Sequence, residues 1–395
     1  MKILTFTTLF PNQKRADFGL FVYQRVSHLA VGTGALAKVI APVPYFPSWV
    51  HSNRWGVYAQ IPYKERFGDL DVYHPRYPLF PGLFMPLHGF LMFLGSILLA
   101  HRLHTRFRFD CIDAHYVYPD GFAATLLGKV LGLPVVISAR GTDVNLFMSF
   151  RTIRPLITWS LRNSAGIIAV AGSLKKSMVS LGVPEESICV IPNGVDTKRF
   201  HPHDQTTARG RLKIPSEEHV VVSVGSLTES KNHCLLVSAF AEVLKGDAKG
   251  RLYIIGNGPL RPVLEALIRN EHLEGRVILV GPRPNEELAL WFSAADVSCL
   301  TSCREGCPNV LMESIACGTP VVATRVGGVP ELLCSPKLGI LVEQNKESVA
   351  AGLKQALATR WDRKVLERHA QKRGWDKVAE EVASFLMTRV STCSE

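Results

Sequence analysis

The chain has 395 residues, 47% hydrophobic and 20% charged, with 31 Gly and 24 Pro. These proportions sit near globular averages and exclude a disordered, collagen-like or polytopic membrane chain. The 45 Lys and Arg exceed the 34 Asp and Glu by 11, which favours an anionic partner (nucleic acid, acidic lipid or a phosphorylated ligand) without choosing among them.

The opening run, Met1–Pro11, reads as a buried first strand, at Lys2–Thr7, and not as a signal peptide, because polar Asn12–Asp17 follows with no small-residue cleavage site. Further apolar or β-branched runs predict strands at Ala37–Ala41, Cys111–Ala114, Val135–Ser138, Ile167–Val170 and Cys189–Ile191. The rhythm returns at Val220–Gly225, Leu252–Gly256, Val277–Gly281, Val297–Leu300, Val321–Thr324 and Leu338–Val342. Many of these runs are continuously apolar, as strands covered on both faces must be. Their alternation with helix-like stretches predicts parallel sheets joined by right-handed crossovers. Twelve strands exceed one ordinary doubly wound sheet, so two α/β domains are expected. The boundary falls after Asn193–Asp196, where Thr197–Gln205 turns polar, giving domains at 1–195 and 196–372 and a C-terminal helix at 373–395 with the first domain as its packing surface. The nine cysteines are scattered with no CxxC pair and no Cys–His cluster at zinc spacing, which fits a reducing, cytoplasmic compartment.

Tyr77–Ala100 breaks the pattern, with no Asp, Glu, Lys or Arg. Pro78, Pro81, Pro86 and Gly82 interrupt its first half, leaving Leu87–Ala100 clean, and His101, Arg102, Arg106 and Arg108 follow. Three readings stand: a buried helix of the first domain, a membrane-surface helix, or a span.

The most informative stretch is Thr301–Val322. It follows a strand, and Pro308 suits the first helical position. The amides of Asn309, Val310 and Leu311 would then be free at a helix N-terminus, where the dipole favours a phosphate. Glu305 precedes the helix. Glu313 lies within it among Leu311, Met312, Ile315 and Ala316, and such a carboxylate needs a partner, ribose hydroxyls or a lysine among them. Lys231 sits near the start of an apolar helix, Cys234–Leu244, where the dipole disfavours a cation unless an anion binds. Gly19 closes the loop Pro11–Gly19 before a helix from Leu20, allowing close approach of a phosphate or sugar, or serving as a turn glycine. His115, and Arg140 with Asp143, follow strands at the carboxyl edge where α/β sheets bind ligands. His115 either serves a ligand or fills that edge, and Arg140 and Asp143 either contact substrate or pair with each other. Asn193 and Asp196 read as caps of the interdomain turn.

Glu305 and Glu313 with seven residues between them, Gly306, Pro308 and the trailing Ala316–Val322 resemble the retaining glycosyltransferases of family 4. The resemblance covers essentially the whole chain. Pro119–Gly121, Arg140–Asp143, Asn193–Asp196, Gly256–Pro259 and Gly327–Glu331 support it more weakly. It implies the GT-B fold, two Rossmann-like doubly wound parallel-sheet domains facing across a cleft, the first binding acceptor and the second a UDP- or GDP-linked nucleotide-sugar. It also implies metal-independent transfer with retention at the anomeric carbon, no cofactor, and a kinship with bacterial enzymes of surface-polysaccharide synthesis acting on lipid-linked acceptors. That places the chain in the cytoplasm, peripherally on the anionic inner face of the membrane.

Carried over, Glu305 contacts the donor sugar, Glu313 holds the ribose, and the backbone of Gly306 and Pro308–Leu311 holds sugar and diphosphate oxygens. Lys231 faces the diphosphate, Gly19 and Gly256 approach the donor, and His115 stands close to the reacting sugar. Arg140 and Asp143 are assigned to the acceptor. Ser226 occupies a position where the family has a phosphate-binding arginine, with Arg304 as a substitute cation. Against this stand a sugar-nucleotide epimerase or a glycan phosphorylase on the same fold. A basic nucleic-acid-binding protein is less favoured, since no RRM, KH, helix-turn-helix or zinc signature appears. A dinucleotide-dependent dehydrogenase lacks its GxGxxG.

Overall fold

The structure is a computed structural model that describes residues 1–46, 56–79 and 84–392. Two compact units form: Met1–Asn193 with Trp375–Glu395, and Gly194–Gly374.

In the first unit the strands are β1 (Lys2–Phe6), β2 (Leu36–Ile40), β3 (Val43–Pro44), β4 (Lys64–Phe67), β5 (Leu70–Tyr73), β6 (Arg76–Tyr77), β7 (Cys111–His115), β8 (Val135–Ala139), β9 (Gly166–Ala169) and β10 (Ile188–Val190). Among the described residues, eight of them pair in the order β10-β9-β8-β7-β1-β2-β5-β4, and β3 pairs with β6 separately. Every pairing is parallel except β4 with β5. From β1 the order steps outward on both sides, so the loops after β1 and β7 meet at a topological switch point. The helix Trp375–Thr392 belongs to this unit, burying Trp375, Val378, Val382 and Leu386 in one cluster with Ile3 and Leu29.

The second unit carries β11 (His219–Val224), β12 (Gly250–Ile255), β13 (Val277–Gly281), β14 (Val297–Leu300), β15 (Val321–Thr324) and β16 (Gly339–Val342). Its order is β13-β12-β11-β14-β15-β16, all parallel, with the switch point between β11 and β14. Alternation along β11 separates two cores: Val220, Val222 and Val224 face one, with Leu311, Met312 and Ile315, and Val221 faces the other, with Leu236, Phe240 and Leu353. A strand that feeds apolar residues to both faces must be apolar throughout, which is why these strands were legible.

The strands β3 to β6 were not foreseen. Lys64–Tyr73 opens on three consecutive charges, Lys64–Arg66, and folds as an antiparallel edge hairpin about Gly68, whose φ is +57°. His115 is the last residue of β7 and does not follow it.

The apolar stretch resolves into the helix His88–Phe107, with residues 80–83 outside the described part. By length and composition alone it is long enough to cross a membrane. It nonetheless packs Met92, Leu99, Ala100 and Leu103 inward and leaves Phe90, Leu94 and Leu98 outside, Leu98 being 78% exposed. It is half core helix, half apolar surface.

Candidate functional site

In the second unit, the loops after β11 and β14 are tied at the switch point. Backbone N–H of Cys303 donates to the Ser230 carbonyl at 2.8 Å, and Thr301 Oγ1 donates to the carbonyls of Lys231 and Asn232 at 3.2 and 3.0 Å. This lattice brings Lys231 Nζ to 2.6 Å from Glu305 Oε1, which also accepts from Ser302 Oγ at 2.6 Å. Both side chains are mostly buried, so the ion pair is strengthened by the low local dielectric. Behind Glu305, a Cβ on Gly327 (φ +51°) would stand 1.9 Å from the Glu305 carbonyl oxygen, so only glycine permits this packing. Gly328 N–H donates to Gly306 O at 3.1 Å and fixes the far side of the loop. Gly256, at φ +145°, is held against Gly225 in the same way.

The helix of this site runs Asn309–Ala316, with Pro308 as its cap and not its first residue. Leu311 N–H donates to the Pro308 carbonyl at 3.2 Å, so of the three amides counted as free from sequence this one is satisfied within the chain. Glu313 has no hydrogen bond or ion pair from its carboxyl among the described residues, and its backbone carbonyl accepts the Cys317 N–H at 3.2 Å. Burial pushes its carboxyl up from 4.5 to about 7; Arg199 opposes that shift and Asp196 adds to it. No lysine reaches it, which removes one of the two partners foreseen. Ser226 is exposed and lies 3.5 Å from Thr228 Oγ1, and Arg304 is exposed beside Glu305. Gly19 belongs to the first unit, where a Cβ would fall 2.5 Å from the Leu9 carbonyl.

The first unit has its own polar cluster at the carboxyl edge. His115 is fully buried, with Nε2 at 3.0 Å from Asp113 Oδ2 and Nδ1 hydrogen-bonded by an Arg140 guanidinium N–H. Both ring nitrogens thus have protein partners, the hydrogen-bonded edge position that was one of the two readings of His115. Burial lowers its pKa to about 3, with Arg140 and Arg25 adding to that shift and Asp113 opposing it. Burial alone would raise Asp113; Arg25, His115 and Arg140 outweigh it and bring the carboxyl down to about 2. Arg140 also donates to Asn193 Oδ1 at 2.8 Å and stacks over Phe21 at 5.3 Å. Asp143 accepts backbone N–H groups of Arg140, Gly141 and Val117. Arg140 and Asp143 are therefore joined through backbone, and the guanidinium points elsewhere. Asn193, expected as a turn cap, is an arginine acceptor.

Three groups escaped the sequence reading. Arg25 is 2% exposed and reaches Asp113 Oδ1 at 3.0 Å and Ser138 Oγ at 2.7 Å. The signal was present: an arginine on the Val22–Val26–Leu29 face of a helix, and an aspartate inside the apolar strand Cys111–His115. Asp120 accepts the Thr8 N–H across the switch point, and burial lifts its carboxyl to about 7.

The family model for Glycosyltransferase Family 4 matches residues 37–199, and that for Glycosyl transferases group 1 matches residues 204–373. A D-inositol 3-phosphate glycosyltransferase of Acidothermus cellulolyticus is 30% identical over 322 residues, 75% of this chain and 71% of that one. The putative teichuronic acid biosynthesis glycosyltransferase TuaC of Bacillus subtilis is 28% identical over 337 residues, 84% and 83% of the two chains. The N-acetyl-alpha-D-glucosaminyl L-malate synthase of Bacillus anthracis is 28% identical over 236 residues, 59% of this chain, and the match spans only 61% of that relative's length. Among solved structures, sucrose-phosphate synthase from Thermosynechococcus elongatus superposes with a TM-score of 0.80 at 20% identity, over 99% of each chain. Anabaena HepE in complex with UDP gives 0.74 at 18% identity, over 98% of this chain and 100% of that one. These likenesses assign the GT-B architecture, two parallel-sheet α/β units.

Proposed function

Since this chain belongs to the glycosyltransferases of family 4 type, we propose that it moves a sugar from a UDP- or GDP-linked donor to a hydroxyl of a lipid-linked glycan, with retention at the anomeric carbon. The observation that carries the reading is the Lys231–Glu305 pair at the β11/β14 switch point, with Glu313 partnerless on the next helix. Glu313 then takes ribose hydroxyls, Glu305 the sugar, and Lys231 the diphosphate, where a preorganised cation lowers the barrier to its departure. The N–H groups of Gly306, Asn309 and Val310 and the neighbouring Arg304 and Ser226 complete the donor side, with Gly256 keeping the backbone close. Arg140 and Asp143 serve the acceptor side, and His115 supports Arg140. HepE's UDP complex supports a uridine donor, and TuaC's name supports a surface-polysaccharide product. A thermal-shift panel of UDP-, GDP-, ADP- and CMP-linked sugars tests it. A UDP- or GDP-sugar should raise the midpoint by mass action, and no shift with any of the four would refute the donor.

Transfer is expected to persist in EDTA, because Lys231 supplies the cation at the leaving group. Loss of activity on chelation, restored by Mg²⁺ or Mn²⁺, would contradict this.

The enzyme is further proposed to sit on the cytoplasmic leaflet through the helix His88–Phe107. Phe90, Leu94 and Leu98 are exposed on it, Leu87 is exposed just before it, and its C-terminal end carries Arg102 and Arg106, with Arg108 as its cap. Each basic residue near an anionic surface contributes about 1 kcal/mol, and a shallow apolar face adds reversible attachment. Sedimentation should show binding to anionic vesicles that weakens with salt and with the three arginines changed to glutamine. A protein left in the supernatant under every condition points instead to a soluble acceptor.

A further inference from the structure

We propose that Arg25, Asp113 and His115 form a positioning device for Arg140: together they hold the imidazole neutral with its proton on Nε2, leaving Nδ1 as the acceptor that aims the guanidinium. The consequence for catalysis rests on the reading that Arg140 contacts the acceptor; the device itself does not.

The geometry admits one proton arrangement. Asp113 offers only lone pairs to Nε2, so that nitrogen must donate, and the Arg140 guanidinium offers only N–H groups to Nδ1, so that nitrogen must accept. The other tautomer would set a donor against a donor, and so would the imidazolium. A buried histidine beside a lone carboxylate ordinarily gains a proton. Burial and Arg140 act against this, and Arg25 adds to them by occupying the other oxygen of Asp113 at 3.0 Å. With Arg25, Asp113 and Arg140 charged, the cluster carries one net positive charge, and protonating His115 would make it two in a buried site. Without Arg25 the same proton would raise it only from zero to one.

The groups facing the ring are Asp113 on its own strand, Arg25 from the helix Leu20–Thr33 and Arg140 after β8. Around them, Ser138 Oγ accepts from Arg25 and Asn193 Oδ1 accepts from Arg140. Arg25 is thus a positioning residue for Arg140, acting through a histidine that reads its charge.

The test is imidazole ¹⁵N spectroscopy of the full chain from pH 8 to 5, with His115→Gln to assign the ring, alongside acceptor KM and kcat. In the unaltered protein, Nε2 should stay protonated and Nδ1 bare throughout, with a flat acceptor KM. In Arg25→Met the ring should titrate within this range, and acceptor KM should rise about tenfold as pH falls, the loss of one charged hydrogen bond, with kcat changing less. Arg25→Lys should restore the flat profile. Because a lone buried carboxylate endangers folding, Arg25→Met/Asp113→Asn removes both charges. There Arg140 alone again leaves one net positive charge, so the ring should stay neutral with Nδ1 bare at every pH and acceptor KM should lose its rise at low pH. A ring protonated on Nδ1 in the unaltered protein, a ring that does not titrate in a folded Arg25→Met, or one that titrates in the double variant, overturns the device. A ring that responds as stated while acceptor KM does not move supports the device and overturns the acceptor reading of Arg140.

Discussion

Lys231→Ala should lower turnover by on the order of 10²-fold or more, with a smaller change in donor KM. Its ammonium is the cation that the β11 loop sets at the switch point, held at 2.6 Å from Glu305 by a turn locked to the β14 loop. Removing a preorganised charge that meets developing negative charge costs about 10²–10³-fold in rate. Ser226 offers a hydroxyl where the resemblance to family 4 implies a guanidinium, so fewer charges are expected to share the work. The substitution also strands Glu305, though Ser302 Oγ remains on it. Lys231→Arg keeps a charge there and separates the two effects: it should retain thermal stability and a larger share of turnover. A loss below about threefold in Lys231→Ala would assign the task to another cation, with Arg304 the first to test.

Glu313→Gln should weaken binding of the donor by about 10- to 150-fold, the worth of one hydrogen bond to a charged group, roughly 1.5–3 kcal/mol. The sign of its pH dependence follows from burial. The carboxyl is raised from 4.5 to about 7, so it is largely ionised at pH 8 and largely protonated at pH 6. Ribose hydroxyls donate more strongly to the ionised form. Donor affinity should therefore rise as pH increases through about 7, with proton release on binding near that pH. In Glu313→Gln both the rise and the released proton should vanish. Calorimetry in two buffers of different ionisation enthalpy reads both, and an unchanged affinity in the variant would remove Glu313 from the site.

The second unit was legible because its chemistry is local. The strand Val297–Leu300, the loop carrying Glu305 and the helix carrying Glu313 are consecutive, so spacing alone places the carboxylates. Continuously apolar strands such as Val321–Thr324 were found for the same reason, since burial on both faces leaves no polar residue to confuse the period. The Lys231–Glu305 contact spans 74 positions and could be expected only through the family resemblance.

In the first unit the chemistry is long-range, and sequence reading failed there in a definite way. Whether His115 served a ligand or filled the strand edge stayed open because Arg140 lies 25 positions from it, and Arg25 lies 88 positions from the Asp113 that links them. A buried arginine and a buried aspartate signal their need for partners, but sequence does not say which of the many charged residues answers. The hairpin Lys64–Tyr73 was missed on other grounds: as the sheet's edge it carries charges at Lys64–Arg66, Asp69 and Asp71 and resembles a loop.

Retaining sugar transfer from a nucleoside diphosphate donor is the reaction proposed for Lys231, Glu305 and Glu313. Its most direct test is proton NMR of the product formed from the best-binding nucleotide-sugar and an acceptor, read at the anomeric coupling constant with the released nucleotide identified. The account predicts free nucleoside diphosphate and a glycoside with the donor's own anomeric configuration. An inverted glycoside, a sugar phosphate formed only with inorganic phosphate, or an epimerised nucleotide-sugar with no transfer would contradict it.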